Sequence, residues 1–170
     1  MKDEVVARQK KYPPPTILID TREKQPFTFA WAVSHSQIKP VQTGKVDAGD
    51  YTVLNIPNLV TIERKKTVGE LYNNLVGKDK YERFIREMER MQSFKHRYIV
   101  VEQDMSALWD KRNFKFAKRT KNYAGLMVHT HLMNIEADYG VHVHFAGDVA
   151  EQHTLKLLVK HYEREMARNG

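Results

Sequence analysis

Two stretches of this sequence are apolar without alternation, Ile17-Leu18-Ile19 and Tyr98-Ile99-Val100-Val101. A strand with one face in water alternates apolar and polar residues, whereas an unbroken run fits a strand covered on both faces. Both runs stop abruptly in polar residues, Asp20-Thr21-Arg22-Glu23 after the first, Glu102 and Asp104 after the second. The intervening and following residues carry helix signals. Thr67 and Glu70 have capping-box spacing, which predicts a helix from Val68 to about Val76, stopped by Gly77. Asp79 and Glu82 repeat that spacing ahead of a longer helix reaching about Ser93, with Tyr81, Phe84, Ile85, Met88 and Met91 as its apolar stripe. Tyr123 to Tyr139 is helical, with Leu126, Met127, Leu132, Met133 and Ile135 available for packing and Gly140 as its C-cap. Val141 to Phe145 is a strand. Asp148 and Glu151 open a last helix that frays after about Ala167. Strands, helices, strand, helix, strand, helix is the order of a three-layer α/β domain with a mixed central sheet flanked by helices.

The stretch from Gly49 to Lys65 carries the chemistry. Ile38 to Val46 reads as a strand interrupted near Pro40 and Gly44, and Gly49-Asp50 as a turn. Tyr51 to Leu54 and Leu59 to Lys65 form a hairpin through Asn55 to Asn58. Phe27 to Ser36 is an aromatic loop or short turn. Strand side chains alternate faces, so Glu63 and Lys65 project together, while Arg64 shares the other face with Val60 and Ile62. Carboxylates such as Asp50 and Glu63 can hold a divalent cation, and a lysine beside them can stabilise a phosphate under attack. These residue types point to a metal-dependent nuclease.

Composition narrows the partners. The chain has 170 residues with 41% hydrophobic, enough for one domain with a core. Cysteine is absent, which excludes disulfides and thiolate metal sites. Lys and Arg number 28 against 21 Asp and Glu, a net +7 that favours a polyanion. Residues 1–14 read as a polar tail with a Pro-rich lead-in, and 15–170 as the domain. The tail lacks an apolar signal core, so the expectation is a chain that is not secreted and is cytoplasmic, nucleoid-associated or, in a eukaryote, nuclear. No apolar run is long enough for a membrane span. Lys111, Arg112, Lys115, Lys118, Arg119 and Lys121 alternate with Phe114 and Phe116 in a segment without clean periodicity. It reads as a mobile loop whose cations and rings suit nucleic acid. His142 and His144 share a strand face, but no third ligand has supportive spacing, so no zinc site is assigned.

Ile19-Asp20-Thr21-Arg22-Glu23, Gly49-Asp50-Tyr51 and Glu63-Arg64-Lys65 together resemble the three signature blocks of the XPF-type nuclease family. The resemblance implies a restriction-endonuclease-like core and a divalent-metal-dependent endonuclease that cuts branched or flapped DNA with Mg²⁺ or Mn²⁺. It implies that Asp20, Asp50 and Glu63 are metal ligands, Asp20 directly or through water. Lys65 would be the catalytic lysine, Arg22 and Glu23 the polar pair after the first strand, and Arg64 the arginine between Glu63 and Lys65. The family commonly places an aspartate where this chain has Gly69; Glu70 is one residue further on. A helix-hairpin-helix module is not expected within these residues. Family members commonly pair, so a homodimer or a partner subunit is expected, and some relatives are non-catalytic DNA-binding scaffolds.

Overall fold

The computed structural model describes residues 12–170, so the expected polar tail over residues 1–11 lies outside it. Six strands form one sheet. They are β1 (Ile17–Asp20), β2 (Gln42–Gly44), β3 (Tyr51–Val53), β4 (Val60–Lys65), β5 (His96–Val101) and β6 (His142–Phe145), in the order β2-β1-β3-β4-β5-β6. β3 is antiparallel to both β1 and β4, whereas β1 with β2, β4 with β5 and β5 with β6 pair in parallel. The sheet is therefore mixed, and the C-terminal ends of β1, β4, β5 and β6 share an edge with the start of β3.

Among the described residues five α-helices cover the sheet: α1 (Ala30–Ser34), α2 (Val68–Leu75), α3 (Lys78–Met91), α4 (Ala124–Tyr139) and α5 (Ala150–Asn169). One core lies beneath α2, α3 and α4 and contains Leu71, Met88, Ile99, Val101, Val128 and Leu132. The other lies beneath α1 and α5 and contains Ile17, Ile19, Tyr51, Ile62, Val100 and Leu158. β5 feeds Ile99 and Val101 to one core and Tyr98 and Val100 to the other. That is why its sequence is apolar at every position. The three-layer restriction-endonuclease-like α/β architecture is present. Among the described residues no helix is long and apolar enough to cross a membrane.

The local signals succeed and fail for identifiable reasons. Thr67 Oγ1 accepts from Glu70 N at 3.0 Å and caps α2, but the Glu70 carboxylate accepts from Lys66 N at 2.9 Å. Gly140 closes α4 at φ 61°. Asp79 does not cap α3; Gly77 at φ 96° is the N-cap, and Asp79 sits inside the first turn. That helix ends at Met91, short of Ser93. Only Gln42–Gly44 pairs as a strand in the 38–46 stretch, because Pro40 has no N–H to donate to a ladder. The aromatic stretch forms α1, with Phe27 and Phe29 buried against Tyr51. Leu126 and Met133 face outward from α4, since Val128, Leu132 and Ile135 occupy its packed stripe. A 3-10 turn over Gly147–Val149 precedes α5, which continues to Asn169. The basic segment is no loose loop. A 3-10 turn over Lys111–Phe114 buries Phe114, whose ring meets Tyr72 of α2 edge-on at 5.8 Å.

Candidate active site

Strand direction alone brings the three motifs to one edge. Asp20 ends β1, Asp50 precedes the antiparallel β3, and Glu63 to Lys65 end β4. Main-chain bonds lock the convergence: Asp20 N donates to Asp50 O and Asp50 N to Ile62 O, each at 2.8 Å. The turn before Asp50 needs glycine. Gly49 has φ +79°, and a Cβ there would lie 2.3 Å from Thr61 Oγ1.

Asp50, Glu63, Lys65 and Arg22 line one cavity of about 330 Å³, together with Asn74 at the end of α2 and Lys80, Arg83, Phe84 and Glu87 of α3. Lys65 Nζ donates to Glu63 Oε1 at 2.7 Å, lies 3.6 Å from Glu70 Oε1 and sits 5.5 Å from the Phe84 ring centre. Asp50 Oδ2 accepts from Arg64 N at 2.8 Å. Burial, reinforced by the Glu63 charge, pushes the Asp50 carboxyl up to about 8. Burial likewise raises Glu63, against the pull of Lys65. Burial by itself would lower Lys65, but the Glu63 carboxylate outweighs it and the ammonium is held at about 12. Ionising both acids is thus disfavoured at this edge while the lysine stays protonated.

Asp20 is placed differently from Asp50. It is buried, and both carboxylate oxygens are taken. Oδ1 accepts from Arg22 N at 2.8 Å and Arg22 Nε at 2.7 Å, and Oδ2 from Val46 N at 2.9 Å. Burial pushes its carboxyl up, yet Arg22 and the Val46 N–H outweigh that and hold it below the usual range. Asp20 does not line the cavity; it holds Arg22, which does.

Arg64 and Glu23 lie on the sheet's other face, as period-two alternation requires of Arg64. The Arg64 guanidinium stands 4.0 Å over the Phe27 ring, donates from Nε to Glu102 Oε1 at 2.5 Å and approaches Glu23 Oε1 at 3.7 Å. It also donates to the Gln25 carbonyl. These contacts tie the segment after β1 to the end of β4.

Among the described residues no three His, Cys, Asp or Glu side chains are gathered so as to hold a metal by themselves. The donor set still suits a hard cation, because Mg²⁺ uses one or two carboxylates and keeps several waters. Two carboxyls whose affinity for protons is raised chiefly by burial are groups that a divalent charge would relieve.

The ERCC4 domain model matches residues 19–160. The chain belongs to this family of XPF-type nucleases. Two solved structures of XPF from Aeropyrum pernix, one in complex with DNA, share its fold, with TM-scores of 0.59 and 0.58. They are 17% and 16% identical to it, over 91% of this chain and 66% of each of those chains. The chain therefore spans about two thirds of their length. No curated protein matches it. Membership of the ERCC4-domain family assigns a nuclease-type role in general.

Within this ERCC4 domain, Gly69 is explained by packing. A Cβ at that position would come 3.0 Å from Asn113 O and 3.3 Å from the Phe116 ring, so the position is filled by the basic segment. All six cations of that segment are exposed, and Arg112 pairs with Asp110 at 2.7 Å. The segment packs on α2, whose Asn74 reaches the cavity.

Glu87 was not visible from the motifs. Its Oε1 accepts from Gly49 N at 2.7 Å, 38 residues away, while its other oxygen pairs with Arg90. A glutamate on a charged helix face signals only a solvated ion pair; nothing in the sequence says that the face meets the Gly49 turn. Lys80, Arg83 and Asn74 went unassigned for the same reason.

Proposed function

We propose that this chain is a divalent-metal-dependent DNA endonuclease, hydrolysing phosphodiester bonds in branched, flapped or single-stranded DNA. One observation carries the reading: Asp50 and Glu63, both raised above the usual carboxylate range, open into one cavity beside a protonated Lys65. The net charge of +7 and the likeness to an XPF solved in complex with DNA support DNA as the partner.

Asp50 and Glu63 would hold Mg²⁺ or Mn²⁺. The bound cation supplies Lewis-acid chemistry, neutralising phosphate charge and easing loss of a proton from water. Lys65, at about 12, is a donor and not a base at neutral pH. It stabilises the charge that grows on the phosphoryl oxygens, in a cavity wall that Phe84 makes partly apolar. Arg22, Lys80 and Arg83 line the same cavity and bind the flanking phosphates. Asp20 positions Arg22 through the pair of bonds to its guanidinium, and with both oxygens so engaged it would meet a cation through water. Arg64, Glu23 and Glu102 brace the strand ends from the opposite face.

The test is a panel of flap, splayed-arm, single-stranded and duplex DNA with Mg²⁺, Mn²⁺ or EDTA, for the wild type and Asp50→Asn. The expected result is metal-dependent cutting that Asp50→Asn removes while binding persists. Binding without cutting by the wild type would make the chain a non-catalytic module, and cutting only with an added subunit would make it a partner-dependent one. Equal cutting by Asp50→Asn would overturn the site.

A further inference from the structure

Trp31 is 61% exposed, although Phe27 and Phe29 just before it are buried. It stands on α1, a helix flanked by two residues at positive φ, Phe29 at 50° and Ser36 at 53°. Residues with side chains seldom adopt that conformation, and it persists where the surroundings enforce it. The His35 ring stacks on the indole at 4.5 Å between centres and 28° between planes. His35 Nδ1 is itself fixed 2.8 Å from Trp31 O and 3.0 Å from Ser34 Oγ. The exposed indole is therefore a braced plate.

Beside it is a cavity of about 260 Å³ lined by Phe29, Trp31, Leu155, Glu151 and Gln152 among others. Phe29 N donates to Glu151 Oε1 at 2.6 Å, which ties α1 to the start of α5 and keeps the cavity open between them. Its volume is below the roughly 300–1,000 Å³ of drug-sized sites, and so suits one planar ring system. Its walls offer an aromatic face, aliphatic carbon, a carboxylate and an amide. A nucleobase needs such a set: a π-face to stack on, and acceptors or donors for its amino and ring-nitrogen edge. The cavity lies across the sheet from the candidate active site, and packed contacts connect it to the end of β4. Arg64 covers Phe27, Phe27 meets Phe29 at 5.9 Å, and Phe29 lines the cavity. Around Trp31, Thr28, Ala30 and Gln152 are exposed and small or polar, so the indole is the one large apolar group at the cavity mouth among them.

We infer that this cavity receives one unpaired base of the substrate strand, stacked on Trp31, as that strand crosses the strand-end edge from the carboxylates toward α5. The inference rests on the reading of the partner as DNA and narrows it. A base inside a duplex is stacked on both faces and cannot enter, so Trp31 contacts only unpaired strand.

The experiment uses Trp109→Phe as background, leaving Trp31 the only tryptophan. A thymidine oligonucleotide of about 15 residues and a blunt duplex are titrated in EDTA, following Trp31 fluorescence and the anisotropy of labelled DNA. Trp31 emission is expected to be quenched by the single strand and not by the duplex. Trp31→Ala is expected to weaken single-strand binding about tenfold, Trp31→Phe to retain most of it, and duplex binding to be unchanged in both. Trp31 is exposed, so both variants should fold, which circular dichroism checks. Single-strand binding with unquenched Trp31 and an unaffected Trp31→Ala overturns the base pocket while leaving DNA as the partner. Quenching that follows protein concentration without DNA assigns the face to a second copy and also overturns it. No binding of either DNA overturns the proposed function itself.

Discussion

Removing the Asp50 charge should stabilise the metal-free protein, because the same crowding that suits a cation is unfavourable without one. Burial and Glu63 raise this carboxyl from 3.8 to about 8. Between those values the native state binds a proton that the unfolded chain has released, so stability falls as pH rises through the window and levels off above it. Each pH unit of that window corresponds to about 1.4 kcal/mol, and pH 4 to 7 gives a ceiling of roughly 4 kcal/mol. Water entering the open cavity screens part of the charge, so we expect about 2 kcal/mol at pH 7. Asp50→Asn retains an oxygen to accept from Arg64 N, so the hydrogen bond at 2.8 Å need not be lost. For a chain of this size that corresponds to a Tm increase of ~4–8 °C. Thermal unfolding in EDTA, followed by circular dichroism from pH 4 to 9, measures it. The gain should be near zero at pH 4 and largest above pH 8. Adding Mg²⁺ or Mn²⁺ should stabilise the wild type and not the variant. An Asp50→Asn Tm equal to or below that of the wild type across this range would refute the account of a strained carboxylate pair.

Three further outcomes follow from the same geometry. Mn²⁺ affinity, measured by calorimetry, should rise with pH up to about 8, by at most tenfold per unit, because the cation must displace the Asp50 proton; a flat profile between pH 6 and 8 would contradict this. Glu87→Gln keeps an acceptor for Gly49 N and should retain most Mn²⁺ affinity, whereas Glu87→Ala should lose ~10–100-fold; equal loss in both would mean that the charge matters and the Gly49 bond does not. Neutralising Lys118, Arg119 and Lys121 together should reduce the slope of log affinity against log salt by up to about 2.7 on duplex DNA; an unchanged slope would remove that segment from the DNA surface.

What could be read from the chain follows how local each signal is. Glu63 and Lys65 on one face and Arg64 on the other is a consequence of strand geometry, and the 2.7 Å pair confirms that Glu63 and Lys65 project together. The unbroken run at Tyr98 to Val101 identified a strand between two cores. Gly140 ended its helix because the required left-handed turn is glycine's. Capping at Asp79 failed because Gly77 offered an earlier start, and a spacing rule cannot rank two starts two residues apart. The basic segment looks loose in the sequence because the rings that pack it, Phe114 and Phe116, meet Tyr72 of α2, a partner far away along the chain.

The strand ends, the alternation along β4 and the acidic and basic side chains available at that edge follow from the order of residues, since they depend on bonds and periodicities spanning a few positions. Packing of distant elements is what turns Asp20 away to hold Arg22, brings Glu87 to Gly49 and makes Asn74, Lys80 and Arg83 a wall of the cavity. It also decided the charge states, because burial and the neighbours of Asp50 and Lys65 come from elements tens of residues apart. Solvent exclusion and long-range contact are properties of the packed layers, and no short window of residues contains them.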